Sequence, residues 1–458
     1  MRGGALACSL LALLLLAALG STSAQAAKKL PHINNVFIIV LENENADSTF
    51  GPDAPAYLAK KLPSKGLFMP DYYATGHLSL DNYISMVSGQ APNPQTQADC
   101  QMFSDFLPGI PAADGQVIGT GCVYPTAVQT VADQLEKEGL GWKGYMEDMA
   151  NGAPAAPVSC RHPAIGAMDD TQHAEVGDQY ATRHNPFMYF HSIIDDKKSC
   201  NANDVDLSHM AKDLKKRRTT AAYNFITPNL CHDGHDEPCV NGEPGGLVSA
   251  NKFLEQKVPQ IMHSPAYERH GLIVITFDEA EAIGGEGDSS ACCNEQPGPN
   301  TTSPGFTTPG PGGGRIGAVL LSPCIRSGST TDQDYNHYSL LRSVEDNFDL
   351  SHLGFAGQQR LRPFGTDVLN RPDCHERIHL VQRSGAPRAG EKGAYRFAVN
   401  STYDRCTKGV KVKLGGHTAK TDKKGKATIR AKLGKPRQAR ADKKGCKPDQ
   451  IKVRPRGG

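Results

Sequence analysis

Val36-Phe-Ile-Ile-Val-Leu41, followed directly by Glu42-Asn43, decides how this chain folds. The run is continuously apolar and rich in β-branched residues, with polar residues on both sides. It therefore reads as a strand buried on both faces, as in a parallel sheet. Leu272-Ile-Val-Ile-Thr-Phe277 and Gly317-Ala-Val-Leu-Leu321 read the same way, and Tyr223-Asn-Phe-Ile-Thr227, ending at Pro228, is a fourth. Helical patterns lie between them at Ala127–Glu138, Asn251–His263 and Ser339–Phe348. Strands alternating with helices predict an α/β fold with a doubly wound, mostly parallel sheet, whose sites form at the carboxyl ends of the strands. Glu42-Asn43 and Asp278-Glu279 follow two of the predicted strands directly. Merely solvated carboxylates have no reason to cluster there.

A third stretch completes a chemical set. His77-Leu-Ser79-Leu-Asp81-Asn82-Tyr83 offers a serine just after a turn. Hard oxygen ligands suit a divalent cation, and a cation beside a serine assists the deprotonation that makes it a nucleophile. Each piece alone is weak. A serine near an asparagine in a turn is usually a cap, and Glu-Asn is an ordinary way to end a strand.

Length and composition fit this plan. The chain has 458 residues, 38% of them hydrophobic, and a net charge of +2. That is enough for one large α/β domain and a small second one. Residues 1–26 read as a secretory signal: Arg2 supplies the positive start, Leu11 to Leu19 the apolar run, and Ala24-Gln25-Ala26 the cleavage site. No later segment is apolar for long enough to span a bilayer, so a secreted, extracellular protein is expected. Of 13 cysteines, all but Cys8 fall after the signal, an even remainder suited to disulfides in an oxidising compartment. Cys231 with Cys239 and Cys406 with Cys446 are plausible local pairs; the other pairings stay open. Adjacent Cys292-Cys293 make a poor metal chelate, which argues against zinc there.

The near-neutral total hides an asymmetry. From Val381 onward there are 23 Lys+Arg against 5 Asp+Glu, a balance of +18, which leaves −16 before it. Expected boundaries are a catalytic domain over 28–375, a linker over 376–392, and a basic, Ig-like β-sandwich over 393–456. Ala394–Val399, Val410–Leu414, Ala427–Ala431 and Ile451–Arg454 are its expected strands. The basic segment suits an anionic membrane or cell-wall surface, with no specific nucleic-acid partner; a solvated basic face is the plainer alternative. Gly284–Gly314, rich in Gly, Pro, Ser and Thr, reads as a surface insertion or a lid.

Seven blocks in order give the chain a resemblance. They are Leu41-Glu42-Asn43 with Phe50-Gly51, Gly76-His-Leu-Ser79-Leu-Asp-Asn82-Tyr83 with Ser88-Gly89, and Arg183-His184-Asn185-Pro186. Then come Ile226-Thr-Pro-Asn229, Asp233-Gly-His235-Asp236, Phe277-Asp278-Glu279 and Asn336-His337-Tyr338-Ser339. Together they resemble bacterial secreted phosphoesterases, the family of acid phosphatases and phosphatidylinositol-3-phosphatases, and more distantly non-specific phospholipases C. The resemblance covers roughly residues 33–356 and implies an alkaline-phosphatase-like core.

Carried over by position, the resemblance implies one divalent metal ion held by Glu42, Asn43, Asp278 and Glu279, with Ser79 as a further ligand and nucleophile. Asn82 would bind the phosphoryl group. His184 and His235 would bind it too or protonate the leaving oxygen. His77 and His337 are weaker candidates that orient their neighbours. The implied substrate is a phosphorylated small molecule or a phospholipid headgroup, and a monoester is favoured over the diester of a phospholipase C. A non-catalytic surface-binding protein is the reading from another class. Two flanks depart from the family pattern: Asp81 stands where a proline is usual, and Glu44-Asn-Ala-Asp47 replaces Arg-Ser-Phe-Asp of the longer members. Metal identity and oligomeric state are not legible.

Overall fold

The computed structural model describes residues 30–456 apart from 153–155, 283–286, 307–308, 372–373, 375–377, 384, 402–405 and 445. The expected secretory signal lies outside the described residues.

The body is built on an eight-stranded sheet. Its strands are β1 (Asn35–Leu41), β2 (Leu67–Met69), β3 (Trp142–Met146), β4 (Asp204–Asp206), β5 (Tyr223–Thr227), β6 (Gly271–Phe277), β7 (Ala318–Leu321) and β8 (Ser329–Thr330), in the order β8-β2-β7-β6-β1-β5-β3-β4. β1 and β6 are buried along their whole length, as their unbroken apolar runs require. β1 pairs in parallel with β5 on one side and β6 on the other. In that register Leu41 stands opposite Phe277. The residues that follow, Glu42 and Asp278, therefore leave neighbouring strands side by side, about 4.8 Å apart in the hydrogen-bonding direction.

The Gly317–Leu321 stretch forms β7, but antiparallel to both β6 and β2. An apolar run reports burial on two faces and carries no direction, so the parallel reading of this strand is corrected. Four helices matter to the site: α1 (Ser79–Ser88), α2 (Val131–Lys137), α3 (Gly246–Met262) and α4 (His337–Asn347). α2 starts later than its apolar spacing suggests because Thr130 and Asp133 close a reciprocal capping box. Leu80, Tyr83, Ile84 and Val87 of α1 share one core with Leu340, Leu341 and Val344 of α4 and with the sheet.

The described parts of the Gly284–Gly314 stretch are docked. Pro304 O accepts from His77 N and from Gln97 Nε2, each at 3.0 Å, and Asn300 Oδ1 accepts from Gly119 N at 3.0 Å. The first of these bonds ties the segment to the loop that carries Ser79.

A second core lies in the C-terminal part. β9 (His379–Gln382), β10 (Lys392–Asn400), β11 (Lys411–Leu414), β12 (His417–Lys420), β13 (Lys426–Lys432), β14 (Arg437–Lys443) and β15 (Cys446–Val453) form a three-stranded sheet, β9-β10-β13, and a four-stranded sheet, β12-β11-β14-β15. All their pairings are antiparallel. β13 alternates strictly between exposed and buried residues, with Ala427, Ile429 and Ala431 turned inward. β9 falls inside the stretch expected to be a linker, because Ile378 and Leu380 supply apolar side chains to this core. Cys231–Cys239 and Cys406–Cys446 are bonded as expected. The remaining pairs are Cys100–Cys122, Cys160–Cys200, Cys292–Cys293 and Cys324–Cys374.

Candidate active site

Ser79 is the first residue of α1, brought beneath the end of β1. Its Oγ donates to Glu42 Oε2 at 2.7 Å. The other oxygen of Glu42 accepts from the Tyr83 hydroxyl, one turn further along α1, at 2.8 Å. One carboxylate thus fixes both the serine and its helix.

Asn43 adopts a left-handed backbone with φ of 40°, which asparagine tolerates better than most side chains. The bend brings its N–H to Asp278 Oδ1 at 3.0 Å, the same oxygen that accepts from Glu279 N at 2.7 Å. The Asp278 carboxylate is near enough to Glu42 for its charge to help push the Glu42 pKa up, after burial. Glu279 is committed to protein partners, with one oxygen near Asn43 Nδ2 at 3.4 Å and the other bonded to His77 Nδ1.

His337 Nε2 donates to the Asp278 carbonyl at 2.6 Å while Nδ1 faces the Tyr72 hydroxyl at 3.3 Å. Burial holds its pKa down to about 4, so the ring is neutral and acts as a bracket for Asp278.

His184 is buried and stacked on Tyr83, with ring centroids 5.2 Å apart. Its Nε2 lies 3.1 Å from Glu42 Oε1 and its Nδ1 lies 3.6 Å from Asp233 Oδ2. Burial, then neighbouring Arg183, pushes its pKa well down. His235 differs: its side chain is 48% exposed, at the rim. A 3.0 Å hydrogen bond from Nδ1 to Asp236 holds its pKa up at about 9, so it carries a proton at neutral pH.

Asn82 does not present a free amide. Its carbonyl oxygen accepts from Thr75 N (2.9 Å) and Gly76 N (3.1 Å), and its Nδ2 donates to Gly76 O (2.9 Å) and Leu78 O (3.1 Å). In this structure the amide clamps the turn that delivers Ser79. Asp81 is buried behind that turn, packed on Gly76, where a Cβ would sit 2.7 Å from its carboxylate. Neither carboxylate oxygen has a partner among the described residues, and burial drives its pKa well up.

Three contributors went unassigned in the sequence. Asp233 lies within a quoted block, yet its neighbour His235 drew the attention; its carboxylate is buried and backs His184. Arg183 Nε faces Asp99 Oδ2 at 3.8 Å, and Asp99 Oδ1 accepts from Leu80 N at 3.0 Å, right beside Ser79. Asp99 is distant from every motif, so nothing in the sequence marks it.

The donor set suits a hard divalent cation. Glu42, Asp233, Asp278 and Glu279 are all buried, and the pKa of each is driven well up, first by desolvation. Asn43 Oδ1, Asp233 Oδ2 and Asp278 Oδ2 are buried acceptors without a hydrogen-bond donor among the described residues. Carboxylates concentrated away from water call for compensating positive charge. Two other groupings, His270/Cys324/Cys374 and Cys231/His232/Glu243, have their cysteines engaged in disulfides.

Residues 52–351 match the Phosphoesterase family model. The chain is 25% identical over 321 residues to a probable acid phosphatase of Kluyveromyces lactis, covering 69% of this chain and 59% of that one. It is 24% identical to the phosphate-repressible acid phosphatase of Penicillium chrysogenum, covering 80% of this chain and 73% of that one. It thus spans about three-fifths to three-quarters of these relatives' lengths. A solved structure of an alkaline phosphatase superfamily protein from Vibrio parahaemolyticus aligns with a TM-score of 0.43 at 11% identity, covering 89% of this chain and 84% of that one. The family match takes in Ser79, His184, His235 and the Asp278-Glu279 pair, and extends over well more than half of the chain. The chain belongs to the Phosphoesterase family.

Proposed function

We propose that this protein is a secreted, metal-dependent phosphatase that hydrolyses phosphoric monoesters through Ser79. The reading is carried by one observation: Ser79 Oγ donates to Glu42 at 2.7 Å, inside a cluster of buried carboxylates. The serine proton therefore already points at a carboxylate that can accept it. The acid phosphatases among the relatives support a monoester as substrate.

Glu42, Asn43 and Asp278 would hold the cation with Ser79, and Glu279 would complete the set by releasing Asn43 or His77. When bound, such a cation lowers the serine hydroxyl pKa and neutralises phosphate oxygens. The remaining work falls to side chains. Glu42 orients the serine oxygen, which bonds to phosphorus as the P–O bond to the leaving group breaks. His235, protonated at the rim, supplies a proton to the departing oxygen and then takes one from the water that releases phosphate from Ser79. His184, fixed by Tyr83, Glu42 and Asp233, steadies Glu42.

The test compares the secreted protein with its Ser79→Ala variant on p-nitrophenyl phosphate, bis-p-nitrophenyl phosphate, a phosphoinositide and phosphatidylcholine, alongside elemental analysis. Monoester turnover that is lost in the variant is expected. Cleavage of the diester or phosphatidylcholine alone would point to a phospholipase C-type enzyme, and near-wild-type activity of the variant would defeat the nucleophile assignment.

A further inference from the structure

The outer surface of the β9-β10-β13 sheet carries charge that folding does not explain. In the register of β10 and β13, Lys392 stands directly opposite Lys432, Ala394 opposite Arg430, and Arg396 opposite Thr428. Lys392, Arg396, Arg430 and Lys432 are all exposed. Like charges facing each other across an antiparallel pair destabilise it. None of the four has a carboxylate partner in an ion pair among the described residues. The nearest acids in sequence, Glu391 and Asp422, precede these strands in turns.

The opposite sheet also sets like charges face to face, Lys411 opposite Lys420 and Lys413 opposite Arg440, but it carries an acid among them. There Lys411 pairs with Asp442 across the strands, and Arg440 meets the same Asp442 at 3.4 Å. Its positive charge is partly answered within the domain, whereas that of the three-stranded face is not.

The face also lacks what a bilayer would need. Val381, on the edge strand β9, is the exposed large hydrophobic residue of this domain among the described residues. Among the described residues, no aromatic or leucine side chain stands out to enter an acyl layer. Successive outward side chains on a strand are about 6.7 Å apart, which gives a ladder of cations along two adjacent strands.

From this we infer that the β10-β13 face binds a linear anionic polymer, such as a phosphate- or sulfate-bearing chain, by charge and without insertion. Neutralising four charges on a flexible single-stranded polyanion gives a log–log salt slope of about −3, so affinity falls roughly sevenfold for each doubling of salt. The inference is independent of the catalytic reading, because none of the four residues belongs to the site.

The experiment uses the full secreted chain. Binding to immobilised heparin is measured from 50 to 400 mM NaCl for the wild type, for K392E/R396E/R430E/K432E, and for the control K413E/K420E/K452E on the other sheet; thermal melts and p-nitrophenyl phosphate turnover are run alongside. The expected result is loss of at least tenfold in affinity at 100 mM salt and a flattened slope for the first variant. The control should lose less than threefold, with melts and turnover unchanged in both. Should the first variant unfold, K392Q/R430Q replaces it, with at least threefold loss expected. Equal losses in both variants would overturn the assignment to this face. So would binding to vesicles of phosphatidylcholine with 30% phosphatidylserine that equals or exceeds heparin binding and survives 400 mM salt.

Discussion

The chemistry of a single side chain depends here on which partner reaches it. Glu42 accepts from Ser79 and Tyr83, meets His184 and lies near Asp278. Ser79→Ala should therefore lower kcat for p-nitrophenyl phosphate by about a thousandfold or more, with metal content and melting temperature close to wild type. His235 sits at the rim and carries its charge because of Asp236. Asp236→Asn removes that support, and the alkaline limb of the pH–rate profile should move to lower pH while the fold stays intact. An unmoved limb would take His235 out of the proton transfer.

Asp204 illustrates a buried acid outside the site. Burial raises its pKa to about 8, and one oxygen accepts from Asn185 at 2.8 Å. Because the folded value lies above the unfolded one of roughly 4, the neutral form's stabilisation is whole at low pH and is lost as pH climbs toward 8. Asp204→Asn retains the acceptor and removes the titration. Urea melts at pH 5 and pH 8 should show the wild type losing on the order of a few kcal/mol more than the variant between them.

At the scale of elements, the strand–turn–helix unit from β1 to α1 turns sequence into a site. Glu42 and Asp278 were legible as neighbours because unbroken apolar runs imply adjacent buried strands, and carboxylates at their ends have few other reasons to be there. What the runs could not tell was direction, and β7 runs antiparallel with the same composition. Short strands such as β4, only three residues long, carry too little pattern to detect. Asn82 looked like a phosphoryl ligand because an amide one turn past a nucleophile has the right reach. In the structure it bonds backbone groups four to seven residues away, which no motif announces. Asn82→Ala breaks five bonds of the turn, counting one from the Thr75 hydroxyl, each worth about 1 kcal/mol. Turnover should fall by one to two orders of magnitude, and the variant should melt earlier; a lost KM with unchanged kcat and melting would restore the ligand role.

Over the whole molecule, the proposed cation in the acidic pocket would couple stability to cation supply. A ligand that binds only the folded state at 100 times its Kd adds about 2.7 kcal/mol. Chelation with EDTA should therefore lower the melting temperature as well as abolish turnover, and both should return with a divalent ion. A melt indifferent to chelation would argue against a cation at Glu42 and Asp278.

The six disulfides have a consequence of their own. Each closes an interval on one side of residues 375–405, and none bridges that stretch. A single cut there by a neighbouring protease leaves no covalent tether between the halves. The freed hydrolytic part, relieved of its +18 companion, becomes a strongly anionic molecule. Trimming would thus invert its electrophoretic character while its pocket remained intact.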